Sequence, residues 1–381
     1  MKKIVTGIGA LLASAAPVLA GGIERAPQSL APLFENGNYA ELSFGGVNPS
    51  VKGRDYAPAA FGGPYGTGDV AQGYGFFGFA YKHQFTDRLS GAFIVEQPFG
   101  ADIRYPTLPN GSLLLGGTSV EVNSTTYTAL LRYKFDNNFS VHGGLRGSHA
   151  DGRVRLNGAG YQTTSGYDLQ IDGAWGLGWV AGVAYEMPDI AARVSLTYNS
   201  PIEHDFDMRE SGGPLPVTFE DKYTVKTPRS WTLEGQTGIA ADTLLFGSIR
   251  WVKWSEFKVD NFLFPIATPI GEIPLVEVED TTTYTIGVGR KFTDNWAGSV
   301  SFLYEPSEGD NVSPLAPVNG RKAVTVAAIY TMDNIKITTG INYTKLGDAT
   351  LGIGPSAGKT EVARMDDSEA WGVGVRIGYS F

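Results

Sequence analysis

The 381-residue sequence has no cysteine, which excludes a disulfide framework and every thiolate metal site. Beyond its first twenty residues it has no uninterrupted apolar run of the ~20 residues that a membrane-spanning helix needs. A helical-bundle membrane protein is therefore excluded. Charged residues are few, 18% of the chain, against roughly 25% for an average soluble domain. With a net charge of −9 and no Lys/Arg cluster, there is no basic footprint for nucleic acid. The four histidines, His83, His142, His149 and His204, stand in no nucleophile motif. No enzyme, cofactor or metal site is expected. Asp366-Asp367 and Asp205/Asp207 read as solvated loop acids or sugar-layer contacts before calcium ligands or a protease site.

The chain does have 50 glycines and 12% aromatic residues, with glycine well above the ordinary ~7%. It opens with Lys2-Lys3, an apolar stretch Ile4–Val18 and the small-residue end Val18-Leu19-Ala20. That is a secretory signal peptide, residues 1–20, cut after Ala20. The apolar stretch is too short to span as a helix.

The rest alternates. In the last strand Trp371, Val373, Val375, Ile377, Tyr379 and Phe381 share one face, while Gly372, Gly374, Arg376, Gly378 and Ser380 share the other. A period of two with one wholly apolar face makes a strand, and its length exceeds that of a sandwich strand. An aromatic carboxy-terminus is how outer-membrane barrels present themselves to their insertion machinery. The same parity recurs at Tyr127–Phe135, Leu177–Tyr185, Ala192–Tyr198, Trp231–Ile239, Trp296–Tyr304 and Ile335–Tyr343. A charge facing hydrocarbon costs roughly 2–4 kcal/mol at the midplane, so the charged faces line a lumen. Tyr, Trp and Phe at the ends of the apolar faces fit interfacial girdles.

Short turns fall at Thr86-Asp87-Arg88, Asp136-Asn137-Asn138, Pro188-Asp189, Ala241-Asp242, Thr293-Asp294-Asn295 and Asp333-Asn334. Longer segments lie near 48–70, 100–118, 157–172, 203–218, 260–278, 306–321 and 347–367. Six turns and seven loops join fourteen strands, with short turns periplasmic and long loops outside. The predicted fold is all-β: a transmembrane antiparallel β-barrel over 38–381. Residues 21–37 form a separate short N-terminal segment, too apolar for a free tail and, with Pro27 and Pro32, too broken for a strand. It is expected to plug the barrel mouth, with Leu30 and Phe34 among its apolar contacts; a periplasmic tail is the other reading.

At this point the chain resembles the FadL family of outer-membrane transporters for long-chain fatty acids and, in some branches, aromatic hydrocarbons. Three stretches carry the likeness: Gly178–Asp207 (GWVAGVAYEMPDIAARVSLTYNSPIEHDFD), Thr227–Phe257 with its Trp-x-x-Trp-Ser-x-Phe, and Thr283–Tyr304 with Asp294-Asn295-Trp296, continuing to the terminal strand. The departure is N-terminal. The family's longer hatch with its Asn-Pro-Ala segment has no counterpart before the first strand, and Asn48-Pro49-Ser50 lies after it.

The resemblance implies capture by outer loops, a lumen pocket and lateral release beside a kinked strand. Physically, release into the periplasm would cost about 0.8 kcal/mol for each CH₂ returned to water. Pro98 in the third strand either opens the ladder as a gate or merely ends the strand. Leu113, Leu114, Leu115 and the run Phe262, Leu263, Phe264 are apolar where loops meet water, which marks binding or loop-on-loop packing. Val141 and Leu145 face out, whereas Val154 and Leu156 have the opposite parity. A bulge at Asp151-Gly152 would reconcile them and turn Arg153 and Arg155 inward. The resemblance implies a ligand-facing Arg near the end of this strand; pairing of the two arginines with Glu186 or Asp151 is the alternative. The expected partners are a hydrophobic small molecule (fatty acid or aromatic), lipopolysaccharide and outer-membrane lipid, and the insertion machinery. A monomer is expected. A general porin, or a structural or adhesive barrel, is the functional alternative.

Overall fold

The computed structural model describes residues 23–26, 28–213, 217–259, 275–276, 278–309, 311–354 and 359–381. Residues 1–20, read from the sequence as a signal peptide, and the run Phe262, Leu263, Phe264 lie outside the described residues.

Fourteen antiparallel strands close into one barrel. The first six are β1 (Tyr39–Asp55), β2 (Tyr74–Gln84), β3 (Leu89–Glu96, continued by Gly100–Arg104), β4 (Ser119–Lys134), β5 (Phe139–Leu156) and β6 (Tyr167–Met187). Next come β7 (Ala192–Asn199, continued by Ile202–Ser211) and β8 (Thr218–Thr227, continued by Ser230–Ala240). The ring continues through β9 (Thr243–Val252), β10 (Thr281–Lys291), β11 (Trp296–Glu305) and β12 (Arg321–Met332). It ends with β13 (Ile335–Leu346, continued by Ala349–Ile353) and β14 (Thr360–Ser380). β1 closes the ring, pairing Tyr39 with Lys82 of β2 on one side and with Ser380 of β14 on the other. Every strand of the ring is thus paired on both sides over at least part of its length, as a spanning sheet requires.

Every predicted short turn separates two strands. At Asn138, Asp242 and Asp333 the turn residue adopts a positive φ, a conformation that Asn and Asp tolerate better than most side chains. The predicted outward faces are exposed, among them Leu145, Leu177, Val183, Val326 and Ile341. Aromatic pairs rim it. Trp179, Tyr198 and Trp231 touch in series on the outer side, with ring centroids 5.0 and 4.8 Å apart. Phe139–Tyr185 and Trp296–Tyr330 do so on the periplasmic side, at 4.7 and 4.8 Å.

The outer loops are shorter than predicted because the strands run on beyond the belt. Glu203, Asp205, Asp207 and Arg209 of β7 face outward, with Glu203, Asp207 and Arg209 bridged to Lys226, Lys222 and Glu220 of β8 at 2.7, 3.1 and 2.7 Å. Here the polar face looks out and the apolar face, with Phe206 and Met208, looks in. The periodicity continues, but the lipid-facing pattern that identifies a spanning strand has ended.

Inside, the two halves of the barrel differ. The outer half is filled by one apolar cluster including Val51, Ile103, Leu115, Val154, Leu156, Leu169, Met208, Trp254 and Met365. The periplasmic half buries polar and charged side chains, among them Lys82, Arg132, His142, Arg146 and Arg193. A small apolar cluster there contains Leu30 and Leu33 against Ala80, Ala92, Ile94, Leu130 and Val180.

Candidate functional site: a window in the wall and the segment that fills it

β3 is where the wall is interrupted. Glu96 pairs with Thr126 and Gly100 with Asn123 of β4, so β3 spends one residue more than its partner across the break. The extra residue is a bulge at Gln97-Pro98-Phe99. Pro98 has no N–H to give the ladder. The Ser124 hydroxyl replaces the missing rungs, accepting from Phe99 N at 3.1 Å and donating to Phe99 O at 2.8 Å. The bulge inverts parity: Ile94 faces in before it, and Phe99, Ala101 and Ile103 face in after it.

On its other side β3 separates from β2. The β2–β3 ladder runs from Gln84↔Ser90 only as far as Phe79↔Val95. The sheet closes again above, where Ala71 bridges Ile103, Gln72 N donates to Asp102 O at 3.0 Å and Arg104 N donates to Val70 O at 2.8 Å. Between these points lies a window bounded by Tyr74–Gly78 and Gln97–Gly100. Across it Phe77 N donates to the Gln97 side-chain oxygen at 3.2 Å.

The N-terminal segment fills the window from within. Arg25 N and Ala26 N donate to Pro98 O at 2.8 and 3.3 Å, and Gly100 N donates to Ile23 O at 2.8 Å. The backbone groups released by the bulge are thus satisfied by the segment. Glu24 crosses the lumen to Arg250 of β9 (2.5 and 3.3 Å), whose guanidinium also donates to Ser230 and Thr232 at 3.1 and 3.0 Å. Removing one partner of such a buried pair strands a charge and costs about 3–5 kcal/mol. Further along, Leu33 is fully buried, Phe34 lies between the Arg132 and Arg193 guanidinium groups at 4.5 and 4.1 Å, and Glu35 bridges Lys336 at 3.3 Å. Arg132 itself pairs with Glu186.

Beside the window the lumen holds a cavity of about 200 Å³ that opens to solvent. Phe76, Phe246 and Leu303 give it apolar wall; Arg25, Gln97, Arg250 and several hydroxyls give it polar wall. Burial lowers the Arg25 pKa, with Tyr74, Asp102 and Glu121 pulling it back up. Above the cavity Trp254 is fully buried, edge-on to Phe99 and Phe257 at 5.9 and 6.1 Å, and its indole N–H has no partner among the described residues.

The predicted site residues divide accordingly. Pro98 sits at the break in the wall. Leu30 and Phe34 are inside the barrel, where they anchor the segment. Leu115 is fully buried in the outer cluster; Leu113 and Leu114 are half-buried, and their backbone N–H groups donate to Asp55 at 2.9 and 3.2 Å. That is loop-on-loop packing. Arg153 and Arg155 require a correction. β5 keeps its parity from Phe139 to Leu156, so both arginines face outward, 47% and 46% exposed, and both bind Asp168 at 2.7–3.0 Å. The register shift at this level belongs to β6, between Ile171 and Ala174, leaving β5 in phase. Val154 and Leu156 break the lipid-facing pattern because they face the outer cluster.

Sequence reasoning passed over Glu24, Arg25, Gln97, Arg250 and Trp254. Only Arg250 and Trp254 had a signal, since both lie in the Trp-rich stretch, Arg250 at a lumen-facing position of β9 and Trp254 just past its end.

The closed ring, its exposed apolar belt and its aromatic rims define an outer-membrane β-barrel. The chain belongs to the family described as outer membrane protein transport protein (OMPP1/FadL/TodX), whose model matches residues 6–381. The long-chain fatty acid transport protein of Escherichia coli (strain K12) is 23% identical over 228 residues, 54% of this chain and 49% of the relative. The chain thus spans about half the length of the curated relatives it matches. Two solved structures share the fold. A Pseudomonas aeruginosa FadL homologue has a TM-score of 0.73 at 16% identity, covering 96% of this chain and 97% of the other. The toluene transporter TodX of P. putida has a TM-score of 0.62 at 13% identity, covering 95% and 98%.

Proposed function

We propose that this protein takes up hydrophobic small molecules, long-chain fatty acids or similar lipophiles, and releases them sideways into the bilayer through the window beside Pro98. The observation that carries this reading is the unpaired stretch of wall between Tyr74–Gly78 and Gln97–Gly100, reached by the lumen cavity. A ligand that leaves through it passes from an apolar outer lumen to lipid without re-entering water, which avoids about 0.8 kcal/mol for each CH₂. The outer cluster supplies the apolar approach, and the polar, strapped periplasmic half gives a hydrophobic molecule no favourable path downward. The family's relatives in fatty-acid and toluene transport support the substrate class. Lipopolysaccharide and membrane lipid around the belt, and insertion machinery at β14, are the partners this reading carries; no enzymatic step enters it.

Stapling the window tests it. The chain has no cysteine, so Phe77→Cys with Gln97→Cys introduces the only pair. Oxidation should abolish uptake of labelled oleate by cells expressing the variant, and reduction should restore it. Full uptake with the staple closed would sink lateral release; ion conductance insensitive to lipophiles would favour a general porin.

A further inference from the structure

Arg25 differs from the other arginines around the cavity. Arg250 is bound to Glu24, Arg321 to Glu305 and Arg376 to Glu41. Among the described residues Arg25 makes no salt bridge and its buried Nε finds no hydrogen-bond partner. Its guanidinium lies over the Tyr74 ring at 4.4 Å. A Cβ built on Gly100 would collide with its Cζ, Nε and Nη1, which places the charged end against β3 at the window itself. The cavity is of mixed lining, with Phe76, Phe246 and Leu303 beside the carboxylates of Glu24, Glu96 and Glu234. Yet none of these acids pairs with Arg25 among the described residues, and a partly buried cation with an unmet donor is costly until an anion arrives.

Taking lateral uptake as the framework, we infer that Arg25 is a specificity-determining residue that receives the carboxylate of an amphiphile at the window. A guanidinium offers a planar fork matching a carboxylate, and Phe76 and Phe246 line the space in which the acyl chain would lie. A neutral hydrocarbon or alcohol of the same length finds the same apolar wall but no charge partner. Gly100 is part of the device, because any side chain there displaces the guanidinium. The backbone N–H of residue 25 still reaches Pro98 O whatever the side chain, so substitution leaves the strap in place.

The test is binding of oleate and of oleyl alcohol to the purified full-length protein, followed by tryptophan fluorescence. Arg25→Gln should weaken oleate about tenfold, the worth of a charge-assisted hydrogen bond, and change oleyl alcohol less than about twofold by the same reckoning. Gly100→Ala should reproduce that selective loss, and Arg25→Lys should retain most of the oleate affinity. Equal losses for both ligands, or no loss for either, would overturn the assignment and leave lateral uptake standing. Wild-type protein that binds neither ligand would overturn it together with the uptake reading on which it rests.

Discussion

The two halves of the lumen are built on opposite principles. The outer half is packed like the core of a soluble protein, with Leu115, Leu156, Leu169 and Trp254 excluded from solvent. The periplasmic half holds Lys82, Arg132, Arg146 and Arg193 in a polar interior threaded by the N-terminal segment. One half is stabilised by apolar area, which tolerates approximate shapes. The other rests on directional contacts that fail together when one partner is lost. Under the proposed uptake a hydrophobic ligand dissolves in the first and is turned aside by the second, and the window lies where the two meet.

The comparison can be broken most directly by deleting residues 22–36. If this segment closes the polar half, planar-bilayer conductance should rise from near silence to a steady open pore. An unchanged trace would mean that the segment closes nothing.

Two substitutions of similar cost should then separate the halves. Trp254→Ala should lower the stability of the barrel by about 3–5 kcal/mol, read as a drop in the temperature at which it unfolds on a gel, with the segment still protected. Arg250→Met should cost the segment's anchorage about 3–5 kcal/mol, read as faster trypsin cleavage at Arg25, with the unfolding temperature of the barrel changed little. Coincident effects in both assays would show that the two halves form one cooperative unit. Adding Glu24→Gln to Arg250→Met should recover part of the protection by removing the stranded charge.

The smallest effect belongs to the outer wall. Arg153→Ala with Arg155→Ala removes exposed pairs worth at most about 1 kcal/mol each. Stability and oleate uptake should both stay within error of the wild type; a large loss of uptake would return these arginines to the ligand path.

The membrane belt was legible in the sequence because lipid imposes an apolar outward face on every second residue. Leu177, Trp179 and Val183 therefore declared their direction without any partner being known. Above the belt that constraint lapses. Val154 and Leu156 looked out of phase although β5 is regular throughout, because apolar residues there face a packed interior. The parity change expected at Asp151-Gly152 occurs instead at Pro98 in β3 and near Asp172-Gly173 in β6. Pro98 did stand out, since a proline cannot donate to a ladder in any context. That it opens towards β2 instead of ending the strand depends on Ser124, from β4, taking over the rungs.

By itself the sequence determined the fold class, the six short turns, the lipid-facing residues and the family, because each follows from contacts between near neighbours or with the bilayer. Tertiary structure alone decided which lumen cation would be left without a salt bridge among the described residues. Glu24 and Arg250 are 226 residues apart, and their pairing across the lumen follows from closure of the whole ring. The same closure places Arg25 beside Gly100, where no acid among the described residues forms a salt bridge with it. Strand periodicity specifies a side chain's face, but what stands opposite that face depends on the strand count, register and bulges of the assembled barrel.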